Sequence, residues 1–192
     1  PKSIAIANPR AGKIRSTRLG SHRLPNACDW RETMHAGHAE ELAYQASCQG
    51  HDLVIAVGGD GTVHEVLNGL LRNPGNRSAL GILPVGTAND YATAIGKQWE
   101  GESSDSHRVD IGRMTWNGHT RYFANVTGIG FSGLVAARAR RMLRVPARLR
   151  YTLALLSHMG PTYGATLVSM AIDNETISET PRLICLLYTS PS

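Results

Sequence analysis

Val57-Gly58-Gly59-Asp60-Gly61-Thr62-Val63-His64-Glu65-Val66-Leu67-Asn68-Gly69-Leu70 joins an apolar strand to an amphipathic helix through a turn with almost no side chains. Before it, Leu53-Val54-Ile55-Ala56-Val57 reads as a short buried strand. After it, Val63, Val66, Leu67, Leu70 and Leu71 recur at helical spacing. Glycines let a ligand come close to main-chain N–H groups, and the first N–H groups of a helix carry partial positive charge. Gly58–Thr62 therefore forms a candidate phosphate seat. The alternative is structural: Thr62-x-x-Glu65 has capping-box spacing and would simply start the helix. The G-G-D-G order is not the G-x-G-x-x-G dinucleotide fingerprint. A carboxylate inside an anion seat, Asp60, points to a metal ion or a proton transfer.

Two further junctions have the same form. Ala79–Val85 reads as a strand leading into Gly86-Thr87-Ala88-Asn89-Asp90-Tyr91-Ala92 and a short helix over 89–96, where Thr87-x-x-Asp90 again has capping-box spacing. Ser3–Ala7 reads as a strand followed by Asn8-Pro9-Arg10-Ala11-Gly12-Lys13, a polar loop that is not a Walker A sequence. Adding a strand over 27–33 and helices over the teens, 37–49 and 62–72, the alternation predicts a parallel sheet covered by helices. Open sheets of that kind bind ligands where loops leave the carboxyl ends of neighbouring strands.

The pattern changes after the polar run Gly101–Ser106. Val109–Met114, Tyr122–Val126 and Thr166–Ile172 read as strands of a more antiparallel unit, with a hairpin turn at Trp116-Asn117-Gly118-His119. The expected domains are 1–107, α/β, and 108–192, β-rich. With 192 residues and 42% hydrophobic content the chain can bury a core, and its longest apolar runs are too short to span a bilayer. Cys28, Cys48 and Cys185 have no metal-site spacing and read as idle thiols of a reducing compartment. His35 and His38 near Glu40 and Glu41 lack a third ligand at zinc-site spacing. Arg138, Arg140, Arg141, Arg144, Arg148 and Arg150 concentrate the basicity: removing them from a net charge of +5 leaves about −1. Interleaved with leucines and few aromatics, this segment suits an anionic membrane surface better than nucleic acid; a solvated helix face is the plainer alternative.

The motifs Asn8-Pro9-Arg10-Ala11-Gly12-Lys13, Thr33-x-x-x-Gly37-His38-Ala39-x-Glu41, Gly58-Gly59-Asp60-Gly61-Thr62-x-x-Glu65 and Pro84-x-Gly86-Thr87-Ala88-Asn89-Asp90-Tyr91-Ala92 occur in one order along the chain. In this the sequence resembles the catalytic region of the diacylglycerol kinase family, including soluble bacterial lipid kinases and sphingosine kinases. G-G-D-G-T alone is shared with NAD kinases and phosphofructokinase-like folds; its pairing with P-x-G-T-A-N-D-Y-A is more specific. The resemblance implies an N-terminal nucleotide-binding domain of NAD kinase/phosphofructokinase-like α/β fold, then part of a β-rich sandwich that forms the lipid site. It implies an ATP-dependent lipid kinase of phospholipid metabolism that uses Mg²⁺. The implied cofactor set is Asn8, Thr33, Gly58, Gly59, Asp60, Gly61, Thr62, Val63, His64, Glu65, Gly86, Thr87, Asn89 and Asp90. Asp60 is the candidate for orienting Mg²⁺ or accepting the lipid hydroxyl proton. The protein is expected to be cytoplasmic and peripherally attached to the inner face of the membrane through the six arginines; a homodimer is compatible with this reading. Two alternatives stand beside it: a non-catalytic nucleotide-binding module, or a G-G-D-G-T kinase acting on NAD or another soluble substrate. Ser132-Gly133 replaces the family's usual Asp-Ala, and the family's late acidic segment has no counterpart before Ser192. The chain is therefore read as a C-terminally truncated member, with the activity of this fragment open.

Overall fold

The computed structural model describes residues 2–12, 24–25, 27–96, 106–142, 145–157, 168–172, 175–179 and 183–187. Two unbroken apolar runs form its centre. Ser3–Ala7 (β1) and Leu53–Gly58 (β3) lie side by side and are buried on both faces, as such runs in a parallel sheet must be. Asp29–Glu32 (β2) and Ala79–Pro84 (β4) complete a four-stranded parallel sheet in the order β2-β1-β3-β4. Side chains alternate across it. Ile4, Ile6, Val54, Ala56 and Ile82 meet the helices, while Ala5, Ala7, Ile55, Val57 and Leu83 pack on the other face with Leu24, Cys28 and Trp30. Each fully buried Ile or Val here contributes about 1.5–3 kcal/mol.

The helical face is covered by His38–Cys48 (α1) and Asp60–Arg72 (α2). Ala39, Ala43 and Ala46 line the buried stripe of α1, and Val63, Val66, Leu67 and Leu70 that of α2, as their spacing predicts. The two helices approach closely at Gly69. A Cβ there would meet Ala43 Cβ at 2.8 Å and overlap the main-chain carbonyl of Glu40. A third, short helix, Asp90–Ala94 (α3), follows β4.

Gly112–Trp116 (β5) and His119–Phe123 (β6) form an antiparallel hairpin whose turn residues Asn117 and Gly118 take φ of 46° and 78°. Both are left-handed, as a tight two-residue hairpin turn requires. Buried Asn68 on α2 holds this hairpin with two bonds: its Nδ2 donates to Tyr122 O at 3.0 Å and its Oδ1 accepts from Tyr122 N at 2.9 Å. Arg121 also pairs with Glu40 on α1. The first compact unit extends through Asn125 and so includes this hairpin.

The second unit spans Val126–Leu187. Val126–Gly130 (β7) pairs antiparallel with Leu183–Leu187 (β10), and Val168–Ile172 (β8) with Glu175–Glu179 (β9). The expected strand over 122–126 thus divides into the end of β6 and the start of β7, with a bend at Ala124–Asn125. Helices Phe131–Arg141 (α4) and Ala147–Ser157 (α5) enclose a small core of Val135, Ala139 and Ala154, with Met142 against it. Among the described residues no helix is long and apolar enough to cross a membrane. Cys28 and Cys48 are free, and burial pushes the Cys28 thiol up despite a hydrogen bond from Ser3. Lys13, the expected helix through the teens, most of the 101–106 run, Arg144, residues 166–167, and the side chains of Arg140, Arg148 and Cys185 lie outside the described residues.

Replacing Gly69 by Ala sets a helix-propensity gain of about 1 kcal/mol against a collision with fixed backbone. The collision wins. Gly69→Ala is expected to lower stability by about 1–3 kcal/mol, read as a drop in the urea midpoint with an unchanged slope.

Candidate functional site

The order β2-β1-β3-β4 sends the chain from β1 to one side of the sheet and from β3 to the other. A crevice opens between their carboxyl ends, the usual ligand position in an open parallel sheet. Loops after β1, β2, β3 and β4 surround it, enclosing a cleft of about 410 Å³.

The glycines after β3 allow close packing. Gly58 ends the strand, and a Cβ on it would strike the Thr62 side chain. Gly59 lies against Gly86: a Cβ on Gly59 would stand 3.2 Å from Gly86 Cα, and one on Gly86 would overlap the Gly59 backbone. Helix α2 begins at Asp60 with Gly59 as its N-cap and no side-chain cap. Thr62 and Val63 both donate their N–H to Gly59 O. Among the described residues the N–H groups of Asp60 and Gly61 have no acceptor, and both belong to the positive end of α2.

Neither capping box forms. Thr62 sits buried inside the first turn of α2, and Glu65 reaches across to α1, where its Oε2 accepts from Ala39 N at 3.2 Å. Asn89, not Thr87, precedes α3, with left-handed φ of 56°. Its amide clasps Gly86 from both sides, Oδ1 accepting from Gly86 N at 3.0 Å and Nδ2 donating to Gly86 O at 3.1 Å. Asp60 Oδ1 accepts from Tyr91 N at 3.0 Å, so the carboxylate after Gly59 caps α3 from a different loop. Asn8 joins the first loop to the third: its Oδ1 accepts from Arg10 N at 2.9 Å, and its Nδ2 reaches Thr62 Oγ1 at 3.5 Å. Thr33 is set at the rim by its N–H, which donates to Ala7 O at 2.8 Å.

Eight of the sequence-derived candidates share the cleft wall: Asn8 and Thr33 from the first two loops, Gly59, Gly61, Thr62 and Glu65 from the third, Gly86 and Thr87 from the fourth. Six do not line it. Gly58 and Val63 are buried, His64 is exposed on α2, Asp60 holds the start of α3 through Tyr91 N–H, Asn89 grips Gly86 within the fourth loop, and Asp90 opens α3. The cleft also takes Arg10, Gly12, Met34, His35, Ala36 and Ala39. The first two stand in the Asn8–Lys13 motif and the rest in or beside the Thr33–Glu41 motif, so the motif frames were the available signal. His35 and His38 stack with ring centroids 4.8 Å apart, and His38 Nδ1 accepts from Met34 N at 3.1 Å. That bond commits one ring nitrogen to holding the loop.

The family model described as the diacylglycerol kinase catalytic domain matches residues 2–114. The chain is 43% identical over 103 residues to the diacylglycerol kinase of Bacillus subtilis (strain 168), covering 50% of this chain and 32% of that one. It is 35% identical over 142 residues to that of Staphylococcus aureus (strain JH9), covering 65% of this chain and 42% of the relative. A solved diacylglycerol kinase structure from Bacillus anthracis str. Sterne superposes with a TM-score of 0.64 at 22% identity, covering 96% of this chain and 61% of that one. Another structure from the same organism, assigned to the same kind of kinase, gives 0.67 at 25% identity, with 96% and 64% covered. The matched part of the chain thus spans about a third to two fifths of the length of these curated relatives.

The Asp60–Tyr91 bond separates two properties of Asp60. An Asn at this position keeps an acceptor oxygen for Tyr91 N–H; an Ala does not. Asp60→Asn is expected to melt within about 1 °C of the parent, whereas Asp60→Ala loses about 1–2 kcal/mol, both read by thermal unfolding.

Proposed function

Because the chain belongs to the diacylglycerol kinase catalytic-domain family, we propose that it transfers the γ-phosphate of ATP to the hydroxyl of a lipid, diacylglycerol or a related alcohol. The observation that carries this reading is one cleft shared by the loops after β1, β2, β3 and β4, with the open N-terminus of α2 in its wall. The N–H groups of Asp60 and Gly61 receive phosphate oxygens, and the hydroxyls of Thr62 and Thr87 donate to them. Asn8 and Thr33 bound the nucleotide from the opposite side. Transfer of this kind depends on positioning and on neutralising charge more than on covalent help.

The donor set fits Mg²⁺ held through the nucleotide. Phosphate and water oxygens would satisfy this cation, so that Asp60 Oδ2, which has no protein partner among the described residues, would orient the ion without ligating it and stay free for a proton. Mg²⁺ when bound supplies neutralisation of the phosphate charge. In the reaction the lipid oxygen bonds to the γ-phosphorus, the bond to the β–γ bridging oxygen breaks, and ADP departs. The hydroxyl proton passes to a carboxylate, and Asp60 Oδ2 is the acceptor we assign. Its other oxygen, bound to Tyr91 N–H, fixes the orientation of the group.

The acceptor is a lipid, so the protein works at the inner face of the membrane. Supporting this, Arg138 and Arg141 are exposed on α4, and Leu134 beside them is 44% exposed. The chain has no Asp or Glu between Asp110 and Asp173. Such a face favours anionic headgroups.

Radiolabelled γ-phosphate transfer from ATP to mixed-lipid vesicles tests the activity, with NAD as the soluble control acceptor. Label is expected in the lipid and not in NAD, and Asp60→Asn is expected to reduce transfer about 10²-fold or more while remaining folded. Label in NAD alone, or undiminished transfer by the variant, contradicts the assignment. Separately, the Arg138→Ala/Arg141→Ala variant is expected to bind phosphatidylglycerol vesicles roughly thirtyfold more weakly at low salt, with no change for neutral vesicles, by sedimentation.

A further inference from the structure

Two long helices aim their N-terminal ends at the cleft, and a polyanion would be drawn to both. The structure treats them differently. At α2 the N–H groups of Asp60 and Gly61 have no acceptor among the described residues. At α1 the N–H of Ala39, in the first turn, is taken by Glu65 Oε2 at 3.2 Å, and both residues line the cleft. Glu65 stands on α2 and caps α1 across 26 residues of sequence. A carboxylate there offsets the partial positive charge of α1 and repels any phosphate placed beside it. The wall on that side is otherwise formed by Thr33, Met34, His35, Ala36 and the buried Ala39, with Met34 72% exposed. Among the described residues it offers apolar contact, the Thr33 hydroxyl and the His35 ring but no Lys or Arg side chain, whereas Arg10 belongs to the loop after β1.

We infer that Glu65 is a positioning residue that sets the direction in which a nucleotide lies in the cleft. Its charge reserves the α1 side for the uncharged nucleoside end and leaves α2 as the single seat for phosphate. This inference rests on the nucleotide reading given above. It assigns Glu65 no contact with the reacting atoms. Its effect is exerted through the α1 terminus.

The conservative variant separates charge from structure. In Glu65→Gln the amide oxygen still accepts from Ala39 N–H, so the cap survives while the charge is lost; Glu65→Ala loses both. Binding of ATP, adenosine and inorganic triphosphate to the 192-residue chain is measured by calorimetry, with melting temperatures alongside. The parent is expected to prefer ATP over inorganic triphosphate. In Glu65→Gln inorganic triphosphate is expected to bind about tenfold more tightly, narrowing that preference, while adenosine changes by less than about twofold and the melting temperature holds. Glu65→Ala is expected to melt lower. An unchanged ratio of ATP to inorganic triphosphate affinity in a Glu65→Gln protein of parental melting temperature overturns the inference and leaves the nucleotide reading standing. Failure of the parent to bind ATP at all removes that reading, and this inference with it.

Discussion

Gly59 and Gly86 meet backbone to backbone at the carboxyl ends of β3 and β4, where a Cβ on Gly86 would collide with the Gly59 main chain and one on Gly59 would crowd Gly86 Cα at 3.2 Å. The rest of the site depends on it. The register of the two strands ends with Gly58 opposite Pro84, which delivers both loops to the same level. Their closeness then permits the bond that joins them, Asp60 Oδ1 accepting from Tyr91 N–H, while Asn89 grips Gly86 at two points within the loop after β4. A Cβ on Gly86 would collide with the Gly59 main chain and force the loops apart against the bond between Asp60 and Tyr91 N–H, whereas one on Gly59 calls for only a small adjustment. The contact therefore links strand register to the geometry of the cleft.

Polar groups around the cleft fall into two kinds. Most are paired within the protein, and each pairing fixes a loop: Asn8 to Arg10 N–H and toward Thr62, Glu65 to Ala39 N–H, His38 to Met34 N–H. A few are left open, chiefly the N–H groups of Asp60 and Gly61. Paired groups give rigidity, and open ones give the capacity to receive a ligand without first breaking an internal bond. Since each buried hydrogen bond is worth about 1 kcal/mol net but costs more when unmade, rigid loops with a small open set are an economical arrangement for a phosphate seat.

Much of this was legible from the chain. Strands at 3–7, 53–57 and 80–84 and the apolar stripes of α1 and α2 follow from unbroken runs and 3.6-residue spacing, because burial on two faces or on one stripe leaves a local signature. The Asn117-Gly118 turn was legible because left-handed φ selects those residues. Partners in space were not. Thr62 and Glu65 have the spacing of a local cap, yet α2 starts two residues before Thr62 and Glu65 serves a different helix. Spacing encodes reach along one helix and cannot reveal that another helix end lies nearer. Asp60 likewise reads as a lone acid in a glycine loop, and only the fold shows its bond to Tyr91 N–H. The β5–β6 hairpin joins the first unit for the same reason: Asn68 and Glu40 hold it, and neither contact leaves a mark in its own sequence. Arg10, Met34 and His35 reach the cleft wall from within segments recognised as motifs, because a motif marks a whole loop and not the one side chain that turns inward.

In the function proposed above, main-chain amides at the start of α2, beside a cleft walled there by Gly59, Gly61 and Thr62, receive the phosphates of a nucleotide. Amide-resolved NMR of the ¹⁵N-labelled chain during titration with ATP and Mg²⁺ tests it directly. The largest saturable shifts are expected on the amides of Asp60 and Gly61, with smaller ones at Asn8, Thr33, Gly86 and Thr87. Saturable binding that leaves the amides of 59–62 unmoved, or shifts confined to residues beyond Asn125, would contradict it.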